Sequence, residues 1–294
     1  MIKGIDLNKH KEYIFRGITY ACALFVIAFL VGIILSIFSE GLPIFRTLSP
    51  GKFLLGRAWY PTHEPPEFGV YSLILGSLYV TLGALIIAIP LGLGSAVYIA
   101  EIASPRIKEF AKPLVELLAG IPSVVYGLFG MAFLAPAIRQ WFHLDTGLNI
   151  FSASVILGMM IIPIITSMSE DAMNSVSKQL REASLALGAN KWETITRVVI
   201  PASRSGIIGS VLMGFGRAIG ETMVVLMVAG GSAQIPGSIF DSVRPMTSAI
   251  AAEMGETVVG DLHYFSLFAL AMVLFVITLI CNIITELVFK RKVK

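Results

Sequence analysis

Charge is scarce in this 294-residue chain: Asp, Glu, Lys and Arg make up 14% of it, against about 25% in a typical soluble domain. That shortage excludes an ordinary water-facing enzyme and a disordered regulator. Cysteine is nearly absent, and Cys22 and Cys281 both lie inside apolar blocks, where neither a disulfide nor a zinc site is expected. The four histidines, His10, His63, His143 and His263, fall in separate polar segments with no H-E-x-x-H or Cys/His spacing. Metal catalysis therefore has no ligand set. A net charge of +3 is too small and too dispersed to point to nucleic acid. No G-x-x-x-x-G-K-[ST] occurs, so the chain has no P-loop for ATP. Ten-residue alternating stretches are missing too, which excludes a transmembrane β-barrel.

What remains is apolar: 56% of the residues are hydrophobic and the mean hydropathy is +0.83. The apolar residues fall into six blocks, near 17–38, 75–98, 114–137, 151–168, 206–231 and 264–289. Each can cross roughly 30 Å of hydrocarbon at about 1.5 Å per helical residue. An all-α integral membrane protein with six transmembrane helices is expected. The first block follows Lys9, Lys11 and Arg16 but ends without an A-x-A-like site, which predicts a retained helix rather than a signal peptide.

Lys and Arg counts give the orientation. With the N-terminus inside, sixteen basic residues lie in inner segments and five (Arg46, Lys52, Arg57, Arg139, Arg244) in outer ones. Both termini are expected in the cytoplasm. Two outer loops, 39–74 and 232–263, are long, and Trp59, Tyr60, Pro61, Pro65 and Pro66 suggest an ordered cap or docking surface.

The inner segment 169–205 is polar enough to leave the membrane. It carries Glu182-Ala183-Ser184, three residues, Gly188-Ala189, and then Val198-Val199-Ile200-Pro201. Two short helices joined by a glycine turn are predicted, with Pro201 ending the second before the fifth membrane helix. In the fifth block, Gly216-Arg217-Ala218-Ile219-Gly220-Glu221-Thr222-Met223 places an arginine near the centre of an apolar run. Such a residue costs about 2.5–3.5 kcal/mol on insertion scales. A planar guanidinium suits a tetrahedral oxyanion, and Glu221 is expected one turn along the same face to steady it. A structural ion pair is the alternative. Gly206, Ser210 and Gly214, then Gly216 and Gly220, form small-residue stripes expected to serve helix packing. In the third block, Gly120, Pro122 and Ser123 suggest a kink or unwound turn near a pathway, with a plain proline kink as the alternative. Glu116 and Glu286 read as partners of Lys112 and Lys290, and Glu253 and Glu256 as solvent-facing or gating.

The 182–201 spacing matches the EAA signature, E-A-A-x3-G-x9-I-x-L-P, with Ser184, Val198 and Ile200 as mild departures. Together with residues 116–127, 216–223, 41–43 and 247–256, it makes the chain resemble the PstC-type permeases of bacterial phosphate-specific ABC importers. Met223-Val224, where the sister PstA-type permeases usually carry Ala-Pro, favours the PstC type. The resemblance implies a type I (MetI-like) importer fold with a permease domain over 73–290, preceded by residues 1–72 that hold the first helix and outer loop. It also implies a PstA-like sister permease, two PstB-like subunits carrying ATP and Mg, and a PstS-like binding protein delivering inorganic phosphate. The chain itself would then be a permease in the inner membrane, with no cofactor or enzyme activity of its own. Arg217, Glu221 and Thr222 would line the substrate path. Glu182, Ala183, Gly188 and Ala189 would dock on the ATPase. Another oxyanion (phosphonate, molybdate, tungstate), a secondary anion transporter or channel, and a signalling role are the competing readings.

Overall fold

The computed structural model describes the backbone over residues 5–292 and side chains over residues 12–13 and 15–283. Helix α1 (Ile5–Gly41) leads into a 3-10 turn (Leu42–Arg46), α2 (Pro50–Leu55) and a two-stranded antiparallel ribbon, β1 (Trp59–Tyr60) with β2 (Glu67–Phe68). Then come α3 (Tyr71–Val97), α4 (Pro105–Ala119), α5 (Ser123–Phe129), α6 (Ala135–Phe142) and α7 (Ile150–Asn174). The remainder is α8 (Lys178–Ala186), α9 (Lys191–Thr194), α10 (Ile200–Ile219), α11 (Met223–Val228), α12 (Met246–Glu253) and α13 (Leu262–Lys292). Single π-turns at Tyr98–Ile102, Gly130–Leu134 and Ile195–Val199 extend α3, join α5 to α6 and join α9 to α10.

Five described helical runs are long and apolar enough to cross a membrane: Phe15–Arg46, Tyr71–Ile102, Ile150–Asn174, Lys191–Ile219 and Leu262–Ile283. The third apolar block is not a straight sixth span. Its two legs, α4 and Ser123–Phe142, meet at 88°. The fifth span also starts earlier than expected, because α9, the π-turn and α10 run on as one helix over Lys191–Ile219. Pro201 does not end a helix there. It sits in the first turn of α10 directly after the π-turn, where a widened ladder tolerates its missing N–H.

The core is the α3–α7–α10 stack. A Cβ on Gly92 would lie 2.9 Å from Ile165, and one on Gly83 would lie 2.3 Å from Ser154 Oγ, so α3 and α7 touch backbone to side chain. On α10, a Cβ on Gly206 would lie 2.3 Å from that of Ala172, and one on Gly214 would lie 2.8 Å from Ile161 Cγ2. Ser210 Oγ meets Ser169 Oγ at 2.6 Å between them. The first small-residue stripe is therefore packing, as expected of close membrane helices. The second stripe, Gly216 and Gly220, is open: no neighbouring side chain comes within 4 Å of a Cβ built on either.

The first outer loop folds over one end of this stack. Phe53 and Trp59 are fully buried against Met246, Ala249, Leu267 and Leu270, so the aromatic loop is an ordered cap. Helix α1 packs on α13 through Gly41 and Met272 and otherwise leaves Leu24, Phe25 and Phe29 exposed. Cys22 and Cys281 are both free thiols. The Glu286–Lys290 pairing lies outside the residues whose side chains are described.

Candidate functional site

The fifth apolar block breaks where the sequence placed its arginine. Helix α10 ends at Gly220, whose N–H reaches only Ala218 O, and α11 begins at Met223. Arg217 stands exposed in the last turn of α10, where a cation complements the helix dipole. Glu221 lies beyond the break, 6% exposed. Its Oε1 accepts the N–H groups of Met223 (3.0 Å) and Val224 (3.3 Å), capping α11. The expected Arg217–Glu221 pair on one helical face is thus replaced. The carboxylate neutralises a helix start, and Arg217 has no hydrogen-bond or ion-pair partner among the described residues. Thr247 Oγ1 donates to Glu221 O at 2.6 Å, tying α12 to the break. Thr222 Oγ1 reaches back to Gly220 O at 3.5 Å.

A second break lies at Gly120–Pro122. Pro122 has no N–H and keeps Ile121 out of helical geometry, so α4 stops at Ala119 and α5 restarts at Ser123 with Pro122 as its cap. The result is sharper than a proline kink. Tyr126 Oη donates to Leu118 O at 3.0 Å across the corner. From there α5 runs against α11: a Cβ on Gly127 would lie 2.7 Å from Met227 Sδ, and one on Gly130 would lie 2.9 Å from Val228 Cγ2. Helix α5, which opens at Ser123, therefore packs on α11, which opens the Arg217 side of the bundle.

The glycine turn of the 169–205 segment is present. Gly188 has φ +89, the left-handed conformation that favours glycine. Asn190 and Glu193 then form a reciprocal capping box, both bonds 2.9 Å. Glu182, Ala183 and Gly188 are exposed and Ala189 is half-buried. Beside them Leu187 is 90% and Trp192 62% exposed. Neither belongs to the signature, yet large apolar residues beside a polar glycine turn are a surface signal in themselves. Ser184, one of the three departures from the signature, bonds Thr194 Oγ1 at 3.0 Å and closes the two helices together.

A family model for the binding-protein-dependent transport system inner membrane component matches residues 88–294. The chain belongs to this family. It is 41% identical over 281 residues to the probable ABC transporter permease protein YqgH of Bacillus subtilis (95% of this chain, 91% of that one). It is 36% identical over 299 residues to the phosphate transport system permease protein PstC of Mesorhizobium japonicum (95% and 90%). The fold is shared with a chain of a bacterial alginate ABC transporter, at TM-score 0.69 and 14% identity over 99% of this chain and 98% of that one. It is also shared with a chain of the MetNI methionine ABC transporter, at TM-score 0.57 and 16% identity over 74% and 92%. The chain is a multi-pass inner-membrane permease subunit of an ABC importer, not an enzyme.

Two charged clusters in this permease escaped the sequence reading. Lys112 bonds Glu170 (2.8 Å) and Asp171 (2.5 Å) on α7 rather than Glu116. Glu170 has a side chain only 2% exposed, so it needs a cation more than the solvated Glu116 does. Lys108 adds a contact at 3.2 Å, and Asn174 Nδ2 also donates to Glu170. At the other end Glu253 does not face solvent. It takes Trp59 Nε1 at 3.0 Å, Arg244 Nη1 at 2.5 Å and His263 Nε2 at 2.9 Å, while Glu256 is exposed. Among the described residues no three His, Cys, Asp or Glu side chains gather as a metal site.

Proposed function

We propose that this permease carries inorganic phosphate inward by alternating access, with Arg217 receiving the anion. The observation that carries this reading is an exposed guanidinium at a helix break, without a partner among the described residues, in a chain with relatives named as phosphate transport system permeases. With Glu221 engaged in capping α11, the charge of Arg217 is left for a ligand. Gly216 and Gly220 put no side-chain bulk beside it. A guanidinium fork matches two oxygens of a tetrahedral anion, and binding must stay weak enough for release. Glu221 and Thr222 shape the path through the backbone of the break, and the corner at Gly120, Pro122 and Ser123 borders it.

In this reading both termini are cytoplasmic, residues 73–290 form the transport domain, and a PstA-like sister permease supplies the other half of the pore. A PstS-like binding protein delivers phosphate at the capped end. Two PstB-like subunits hold ATP and Mg. They receive the turn formed by Glu182, Ala183, Gly188 and Ala189, with Leu187 and Trp192 as its apolar anchors.

The test is uptake of radiolabelled phosphate by the assembled transporter in proteoliposomes, with molybdate, tungstate and phosphonate as competitors. The expected result is ATP-dependent uptake indifferent to those competitors, reduced at least about tenfold by Arg217→Gln in a complex of normal composition. Near-normal uptake by the assembled variant would overturn the role of Arg217. Displacement of phosphate by another oxyanion would overturn the substrate.

A further inference from the structure

Helix α8, which carries Glu182 and Ala183, has no buried residue and packs mainly on α9 and the π-turn that follows it. That packing ties α8 to the fifth span, because α9, the π-turn and α10 are one continuous helix, while its packing against α3 and α7 is slight. The covalent link through Ser175–Ser177 joins α8 to α7.

One side chain closes that joint. Arg181 donates from Nη2 to Met173 O (2.8 Å), in the last turn of α7, and from Nη1 to Val176 O, just past its end. Its Nη2 and Nε also reach Glu101 Oε1, at 2.7 and 3.3 Å. Glu101 belongs to the π-turn that ends the α3 span. The two side chains are 11% (Glu101) and 21% (Arg181) exposed, so water screens the pair little. A guanidinium has five donors in a fixed plane, enough to hold three acceptors on two elements at once; an ammonium lacks that geometry. The first turn of α8 is thereby clamped to the ends of both α3 and α7.

We propose that Arg181 and Glu101 make α8, α7 and α3 a single lever, with Arg181 as the positioning residue that transmits the motor stroke to the substrate path. Beyond α7 the route is packed side chain on side chain. Ala172, Ser169 and Ile161 of α7 hold Gly206, Ser210 and Gly214 of α10, which ends in the Arg217 turn. The inference rests on the proposed docking of an ATP-binding subunit on α8.

The experiment measures phosphate transported per ATP hydrolysed by the complete transporter in proteoliposomes, for Arg181→Ala, Glu101→Gln and the double variant. A residue that only supports the fold lowers uptake and hydrolysis together and leaves that ratio unchanged. The expected result is retained hydrolysis with the ratio reduced about tenfold in Arg181→Ala, about threefold in Glu101→Gln, and no further in the double variant than in Arg181→Ala, the non-additivity of a shared contact. Arg181→Lys should recover part of the loss. An unchanged ratio in assembled variants, or strictly additive losses, overturns the lever. Should Arg181→Ala not assemble, Glu101→Gln and Arg181→Lys decide by the same ratio. If the unmodified transporter shows no ATP-driven phosphate uptake, the functional reading fails instead, and the two failures are distinct.

Discussion

Trp59 and Glu253, 194 positions apart in sequence, meet at 3.0 Å between the indole nitrogen and the carboxylate. The contact pins the first outer loop to the end of α12, and Arg244 and His263 complete the ring around the same carboxylate. Glu253→Ala strands three donors at once. Its expected cost is about 2–3 kcal/mol, seen as a lower melting temperature in detergent. Glu253→Gln, which still accepts from the indole, should lose less. Equal melting of both variants and the parent would mean the ring contributes nothing to stability.

The two glycine stripes of α10 should respond oppositely to a methyl group. Gly214→Ala drives a Cβ to 2.8 Å from Ile161, and such overpacking costs about 1–3 kcal/mol. Gly216→Ala meets nothing within 4 Å in the isolated chain and should leave its thermal stability unchanged. In the assembled transporter Gly216→Ala can act only through whatever covers that face, so copurification of the sister permease becomes its readout.

Glu170 and Asp171 are neighbours in sequence that share Lys112, yet their side chains are 2% and 61% exposed. Glu170→Ala leaves Lys112 and Lys108 short of their buried counter-charge and should cost about 3 kcal/mol or more. Asp171→Ala removes a solvated partner, and less than about 1 kcal/mol is expected. Chemical denaturation in mixed micelles ranks the two, and the reverse order would refute the assignment of Glu170 as the anchor of α4.

Glu221→Gln keeps an oxygen for the N–H groups of Met223 and Val224 and should fold normally, losing about 0.5–1 kcal/mol of charge–dipole energy. Glu221→Ala uncaps α11 at about 1–2 kcal/mol. Transport that survives Gln and falls with Ala assigns the residue a structural office. Loss with Gln in a stable, assembled complex assigns the charge itself to the path.

The spans were legible because bilayer thickness imposes a length on apolar runs, and the turn at Gly188 because its φ of +89 is glycine's own. The interruption at Gly220 was hidden by its surroundings. Met223–Val228 continues the apolar composition of α10, so hydropathy reads one helix where the backbone makes two. Charge partners were misread where burial outweighs proximity. Lys112 passes over Glu116, one turn away, for a carboxylate 58 residues on. Arg181, for which the sequence offers no partner, likewise finds Glu101, 80 positions back.

The interruption at Gly220 also dictates the chain's company. The last turn of a helix leaves carbonyls without an intrahelical N–H; here Ala218 O meets the N–H of Glu221, and hydrocarbon offers its neighbours none. Acyl tails laid along Gly216–Gly220 would leave those oxygens dry at several kcal/mol apiece. That flank of α10 belongs to a protein wall or a file of water molecules, whereas the bare phenylalanines of α1, Phe25 and Phe29, suit lipid.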